Sequence, residues 1–199
     1  MPQIAREEFE RLPLRVHTFL GGIPLQDAWA VELPRTRGGI TLDEFLRRGG
    51  NLFQRPSAAV RMLLSVRLCV GGLFGWDEVA PDSVSQSFAQ RLTEEDRARS
   101  LVPPGTPDGL FRIVYRFENE QLDEVVNRTV HAGALSALVE ADTGYRFYFA
   151  VYVREVSRFT PLYMAAIDPF RKLIVYPALL SAVFAQWNAT FGPDNCTFP

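Results

Sequence analysis

Apolar positions along the chain follow two rhythms, and the rhythm changes identify the elements. In Asp27–Leu33, Trp29, Val31 and Leu33 alternate with Ala28, Ala30 and Glu32. That two-residue period predicts a strand with one strongly apolar face, and Pro34 closes it because proline cannot donate to a ladder. The same period returns after residue 110. Phe111, Ile113, Tyr115 and Phe117 alternate with Arg112, Val114 and Arg116. Leu122–Asn127 reads as the return strand. A turn at Asn119-Glu120 would set Phe117 against Leu122 and Arg116 against Asp123. Residues 131–139 form a third run, Ala141–Gly144 a turn, and Tyr145–Val156 a long strand. On that strand Tyr145, Phe147, Phe149, Val151 and Val153 share one face, and Tyr148, Ala150 and Tyr152 the other. The meander therefore has at least four antiparallel strands.

Three- and four-residue spacings mark the helices. Residues 4–12 form a short one that Pro13 limits. Thr41-Leu42-Asp43-Glu44 has the form of a capping box and opens a second, which ends near Gly49-Gly50. A third starts near Ser57 and runs to Val70. Residues 77–109 read as a long irregular connection or flap, with a short helix after Thr93. The last helix opens with Thr160 as N-cap and Pro161 at the first position. Phe170, Leu173, Ile174, Pro177, Leu180, Phe184, Trp187 and Phe191 make one apolar stripe along it. Pro169 and Pro177 each remove a helical hydrogen bond, which predicts kinks or a break.

This order of elements predicts an α+β fold in a single domain, residues 1–199, with a curved antiparallel sheet and a long terminal helix packed on it. Composition agrees: 47% of the 199 residues are hydrophobic and 22% charged, ample for a packed core without staples. The 21 basic residues do not exceed the 23 acidic ones, so nucleic acid is not an expected partner. The N-terminus lacks the basic start and apolar run of a secretory signal. Leu173–Ala185 is too short to span a bilayer and Pro177 interrupts it, while Arg61 and Arg67 interrupt Ala58–Gly75. The expectation is a cytoplasmic protein without membrane insertion. Cys69 and Cys196 read as free thiols, and no spacing of cysteines or histidines suits a metal. No cofactor motif is present: the Gly21-Gly22 and Gly71-Gly72 pairs lack phosphate-loop spacing, and no Gly-x-Ser-x-Gly occurs.

The element order is similar to the helix-grip fold of the START-like (SRPBCC) superfamily. A more specific likeness lies in Tyr163-Met164-Ala165-Ala166-Ile167-Asp168-Pro169-Phe170-Arg171-Lys172-Leu173-Ile174-Val175. This stretch resembles the signature of a bacterial family of uncharacterised proteins placed in that superfamily: Pro-Phe-His or Pro-Phe-Arg, a basic residue, then Leu-Ile-Val. The strand around Trp29 and the segment Gly72-Leu73-Phe74-Gly75 fit it more loosely. The resemblance implies a cavity between sheet and terminal helix for apolar or aromatic ligands. It transfers no catalytic residues.

Three functional readings are open. In the first, a small hydrophobic or aromatic molecule binds in that cavity. Phe111, Ile113, Tyr115 and Phe117 on one strand and Phe147, Phe149 and Val151 on another would line it, with Phe170 and Ile174 from the helix. Facing them, Ala132, Ala134, Ser136 and Ala137 are small, and large residues opposite small ones either interdigitate or leave a void. Glu124, on the face of Phe111, Tyr115 and Phe117, and His131, opening a strand, would be polar anchors. Their plain alternatives are a bulge that turns Glu124 to solvent and a satisfied core histidine. His17 is a weaker candidate. In the second reading, an enzyme of cyclase, dehydratase or hydrolase type uses His131, Glu124 or Tyr115 on a hydrophobic substrate. In the third, exposed aromatics at Trp76, Phe88 or Phe191 mark a protein–protein interaction module or homodimer. Arg171-Lys172 reads as a solvated helix face, and Asp168-Pro169 as a kink.

Overall fold

The computed structural model describes residues 3–50, 87–126, 130–156 and 160–192. The expected helix from Ser57, Trp76, both cysteines and the first part of the 77–109 connection lie outside these residues. The described elements run α1 (Arg6–Glu10), α2 (Val16–Phe19), β1 (Leu25–Pro34), α3 (Leu42–Gly49), a 3-10 turn (Phe88–Arg91) and α4 (Glu94–Arg99). Then come β2 (Pro107–Asp108), β3 (Phe111–Arg116), β4 (Glu120–Val126), β5 (His131–Ala141) and β6 (Gly144–Arg154). Two helices close the chain, α5 (Thr160–Phe170) and α6 (Tyr176–Phe191), joined by a π-helical turn at Arg171–Val175.

Six antiparallel strands form one curved sheet in the order β1-β6-β5-β4-β3-β2. The fold class is α+β, as the element order predicts. β1 crosses the molecule to pair with β6, setting Trp29 beside Phe149 and Asp27 beside Val151. At the β1–β6 corner Gly144 is required by close approach: a Cβ there would lie 2.3 Å from the Leu33 carbonyl oxygen.

Both faces of the sheet are covered, because both parities of β1 and β6 are apolar. The first face carries Trp29, Val31, Leu33, Tyr145, Phe147, Phe149 and Val151, and packs against α3 and the terminal helix. The second carries Ala28, Ala30, Tyr148, Ala150, Tyr152, Leu135 and Ala137, and packs against α1, α2 and the 3-10 turn. The alternation read from sequence holds on both strands.

Three expectations are corrected. The row Phe111, Ile113, Tyr115, Phe117 does not share a face. A bulge between Ile113 and Tyr115 gives β3 an extra residue, so Phe111 packs toward the first face while Tyr115 and Phe117 join the second. The hairpin pairs Arg116 with Gln121, not Asp123; the slip is by two residues, so Glu124 keeps its face. The short helix expected after Thr93 is present as α4, where Thr93 and Asp96 make a reciprocal capping box, and Phe88 before it is buried. At α3, Thr41 caps the Glu44 N–H, but the Glu44 carboxylate pairs with Arg37 and Arg48.

The terminal helix is also corrected. Proline does not break it. Pro169 and Pro177 flank the π turn, which absorbs the lost hydrogen bonds by closing Tyr176 N–H onto the Arg171 carbonyl. Met164–Phe191 is thereby long and apolar enough, by length and composition, to cross a membrane, a capacity that the shorter stretch Leu173–Ala185 lacks. Its buried side, however, is Tyr176, Leu180, Val183, Trp187 and Phe191, packed on the sheet and α3. Each such side chain contributes about 1.5–3 kcal/mol.

Candidate functional site

The extra residue of the π turn changes what the terminal helix presents to the sheet. It rotates Arg171 inward over β1, where Asp27 occupies the parity of Trp29. The Asp27 carboxylate has no solvent exposure, and its Oδ2 accepts from Arg171 Nη2 at 2.6 Å. The same nitrogen donates to Asp168 Oδ1 at 2.9 Å, and Lys172 Nζ lies 2.6 Å from Asp168 Oδ2. The Arg171 guanidinium stacks over Tyr176, whose ring lies 5.4 Å from Trp29 and 5.6 Å from Phe149. Burial raises the Asp27 pKa, and Arg171 pulls it back. Burial, with Asp27 nearby, raises the Tyr176 hydroxyl, which faces the carboxylate without closing a well-formed hydrogen bond to it. Four polar atoms in this cluster are buried without a hydrogen-bond partner: Asp27 Oδ1, Trp29 Nε1, Arg171 Nε and Tyr176 Oη. Two of the four face each other across the Tyr176–Asp27 contact, and eight further such atoms are spread over the described residues.

A second cluster lies on the opposite face. Sequence analysis named Glu124 and His131 separately; β4 and β5 bring them together, with His131 Nε2 3.1 Å from Glu124 Oε2. Glu124 also accepts from the Ser87 hydroxyl and from Phe88 N–H at 2.8 Å. His131 is fully buried, stacked at 3.8 Å on Phe88, and its Nδ1 has no partner. Neither is turned to solvent by a bulge, and neither faces the terminal helix. The pair fastens residues 87–91 to the sheet. Replacing Glu124 with leucine leaves Phe88 N–H and His131 unpaired and should cost about 1–3 kcal/mol. Faster hydrogen exchange confined to residues 88–91 would report it; unchanged exchange there would reject the clasp.

A family model for a protein of unknown function, DUF2867, matches residues 19–178. The chain belongs to this family. No curated protein matches it. The DUF2867 match contains every side chain of both clusters, Asp27 through Tyr176 and Ser87 through His131; α1, all of α2 but Phe19, and α6 from residue 179 onward lie outside it.

The other residues read from sequence are spread over this DUF2867 chain. Phe147, Phe149 and Val151 lie beneath the terminal helix, with Phe149 and Val151 directly beside the Asp27 cluster. Phe111 packs on that layer's margin, and Ile113 is buried beside Asp123. Tyr115 and Phe117 stack on each other at 4.5 Å on the other face. Phe170 and Ile174 do not reach the interior: they are 52% and 37% exposed, on the outside of the helix with Leu173. Phe88 and Phe191 are buried rather than exposed. Asp27 was missed, and Arg171, read as part of a solvated helix face, instead turns inward onto it. A carboxylate on the parity of Trp29 was the available signal.

Two surface clefts lie apart from these clusters. One, of about 520 Å³, is lined by Arg6, Glu10, His17, Gly21, Gly22 and Tyr152 among others; burial lowers the pKa of His17 there. The other, of about 210 Å³, lies between Leu14, Ile40 and Leu138. Neither lies under the terminal helix.

Buried carboxylates make stability depend on pH. Burial raises Glu120 to about 7 and Asp123 to about 8, while the Arg15 hydrogen bond lowers Asp96 to about 2. A raised carboxylate binds its proton more tightly in the folded state. Its stabilising contribution is full below the unfolded value and declines as pH rises toward the folded value. Glu120→Gln keeps the acceptor for Arg15 N–H, 2.9 Å away, and removes the titration. The variant should gain on the wild type between about pH 4.5 and 7. Urea unfolding across that range tests it; parallel profiles would refute the assignment.

Proposed function

We propose that this protein binds a small hydrophobic or aromatic molecule between the sheet and the terminal helix, at the end where Asp27, Trp29, Phe149, Tyr176 and Arg171 meet. The reading rests chiefly on two buried donors without partners, Trp29 Nε1 and Arg171 Nε, beside the rings of Trp29, Phe149 and Tyr176. The layer is closely packed at both ends: Trp187 sits 5.0 Å from Tyr145, 5.6 Å from Phe45 and 4.9 Å from Phe191, and Tyr176 5.4 Å from Trp29 and 5.6 Å from Phe149, so a ligand has to part these rings to enter. The π turn directly above supports a route in, since Pro169 and Pro177 deprive the helix of two backbone donors there. The wider placement, a helix-grip fold of the START-like superfamily, belongs to the same proposal. It is supported by the β1–β6 pairing, the curved meander and the terminal helix laid on one face.

Burial of about 200 Å² of apolar ligand surface contributes roughly 5 kcal/mol before the entropy of association is subtracted. At a ligand concentration about 100 times the Kd, the protein gains about 2.7 kcal/mol, a rise of roughly 5–10 °C in Tm. A thermal-shift screen with lipids, polyketides and aromatic compounds should yield such shifts, and Trp29→Ala should abolish them. A screen without a shift that depends on Trp29 would refute the proposal.

The enzyme reading keeps one supporting observation: Glu124 holds His131 by Nε2 and leaves Nδ1 unpaired, the arrangement of a general base. Its weakness is that His131 is sealed beneath Phe88. A hydrophobic ester or hydroxy-acid panel compared between wild type and His131→Gln tests it, with His131-dependent turnover as the supporting result. We infer further that the protein is cytoplasmic and binds no nucleic acid; the balanced charge supports this.

A further inference from the structure

The larger of the two clefts, about 520 Å³, falls within the range of small-molecule sites. It opens between α1, α2 and the start of β1, where Leu25 pairs with Tyr152 of β6. Leu20, Ile23 and Leu25 give it an apolar lining. Four polar side chains converge on it: Arg6 and Glu10 from α1, His17 from α2 and Tyr152 from β6. The Glu10 charge is felt at both His17 and Tyr152, and the Arg6 charge at Tyr152.

Two of the four are neutral and two charged. Burial lowers the pKa of His17, so its ring is uncharged at neutral pH. Burial and Glu10 raise that of Tyr152, so its hydroxyl keeps the proton. Arg6 and Glu10 lie one turn apart, each about half exposed, with Arg6 Nε 3.8 Å from Glu10 Oε1. That separation is longer than a hydrogen bond, and exposed pairs of this kind hold each other weakly. Arg6 is oriented instead by Nη2, which donates to the Leu25 carbonyl at 2.5 Å. The cleft therefore offers a cation and an anion side by side, next to an apolar lining. A lone anion that met Arg6 would lie beside Glu10, and a lone cation that met Glu10 would lie beside Arg6. A molecule with both charges satisfies both groups.

We propose that this cleft binds a zwitterion, with an α-amino acid bearing a large apolar side chain as the chemical class. The carboxylate meets Arg6, the ammonium meets Glu10, and the side chain lies against Leu20, Ile23 and Leu25. His17 and Tyr152 border the head as neutral hydrogen-bonding groups. This site is separate from the one proposed under the terminal helix and does not depend on it. Arg6, Glu10 and His17 precede residue 19, where the DUF2867 match begins, so they lie in a part of the chain that the family model does not describe.

The test titrates the full chain at about pH 6.5, where α-amino groups are charged, with L-tryptophan, its amide, its N-acetyl derivative and glycine. The amide keeps only the cation, the N-acetyl derivative only the anion, and glycine only the head. Calorimetry gives the affinities, and amide NMR shifts locate the site. L-Tryptophan should bind about fivefold or more tightly than each of the other three. Glu10→Gln should remove its advantage over the N-acetyl derivative, and Arg6→Gln its advantage over the amide, with unchanged circular dichroism spectra. The NMR shifts should centre on residues 6–25 and Tyr152. Equal or tighter binding of either singly charged probe, or advantages that survive both variants, overturns the proposal. So does a response centred on Trp29, Phe149 and Tyr176, which would place the probe under the terminal helix. No response to any probe overturns it too, and leaves the reading under the terminal helix standing.

Discussion

Replacing Trp187 with alanine is expected to cost about 3–5 kcal/mol, the largest loss from a single core truncation among the described residues. Trp187 is fully buried where three elements converge. Its ring packs against Phe45 of α3, Tyr145 of β6 and Phe191 of its own helix. Its Nε1 donates to the Pro34 carbonyl at 3.1 Å, the last residue of β1. The truncation removes the largest fully buried side chain among the described residues and strands that carbonyl. Domains of ordinary stability hold about 5–15 kcal/mol in total, so the variant should unfold at a much lower urea midpoint. Trp187→Phe separates the two contributions. It retains most of the packing and loses the hydrogen bond, for a smaller cost of about 1–3 kcal/mol. A loss below about 1 kcal/mol for Trp187→Ala would mean that the helix does not anchor the sheet here.

Sequence reasoning succeeded where periodicity alone decides the outcome. Tyr145 through Val153 and Trp29 through Leu33 alternate cleanly, and no bulge intervenes along Asp27–Pro34 or β6. Glu124 was placed on the correct face despite a wrong turn, because a slip of two residues preserves parity. It failed where a single extra residue enters. The bulge near Val114 carries no glycine or proline to announce it, and it sends Phe111 and Tyr115 to opposite faces. The π turn does the same to the terminal helix. An inserted residue rotates the remainder of the helix by about 100°. The inward series passes from Arg171 to Tyr176, five residues on, and then to Leu180, Val183 and Trp187. Phe170, Leu173, Ile174 and Phe184 consequently face outward, although they fit the uninterrupted stripe. The pairing of Asp27 with Arg171 was illegible for the same reason: 144 residues separate them, and only the shifted phase brings Arg171 inside.

That shifted phase makes Arg171→Ala the most informative substitution in the candidate site. It deprives a carboxylate with no solvent exposure of its counter-charge. Breaking a buried pair from one side is expected to cost about 3–5 kcal/mol, more than the pair itself contributes over an apolar equivalent. The pH dependence distinguishes this cause from lost packing. In the wild type, burial raises Asp27 while Arg171 opposes the shift. Without Arg171 the nearest groups are Asp168, which raises Asp27 further, Lys172, which lowers it, and the Tyr176 hydroxyl. The Asp27 pKa therefore rises, and the folded variant binds a proton that the unfolded chain has released. Stability then declines as pH increases from the ordinary carboxylate value toward the raised one. The deficit should be smallest near the ordinary carboxylate value, about pH 4, and grow as the pH is raised to neutrality. Asp27→Asn combined with Arg171→Met removes both charges and keeps similar volume, so much of the loss should return. Urea unfolding of the wild type, Asp27→Asn, Arg171→Met and the double variant at both pH values measures the coupling. A loss independent of pH, or one the double variant does not relieve, would show that Arg171 acts as bulk over Tyr176 rather than as the partner of Asp27.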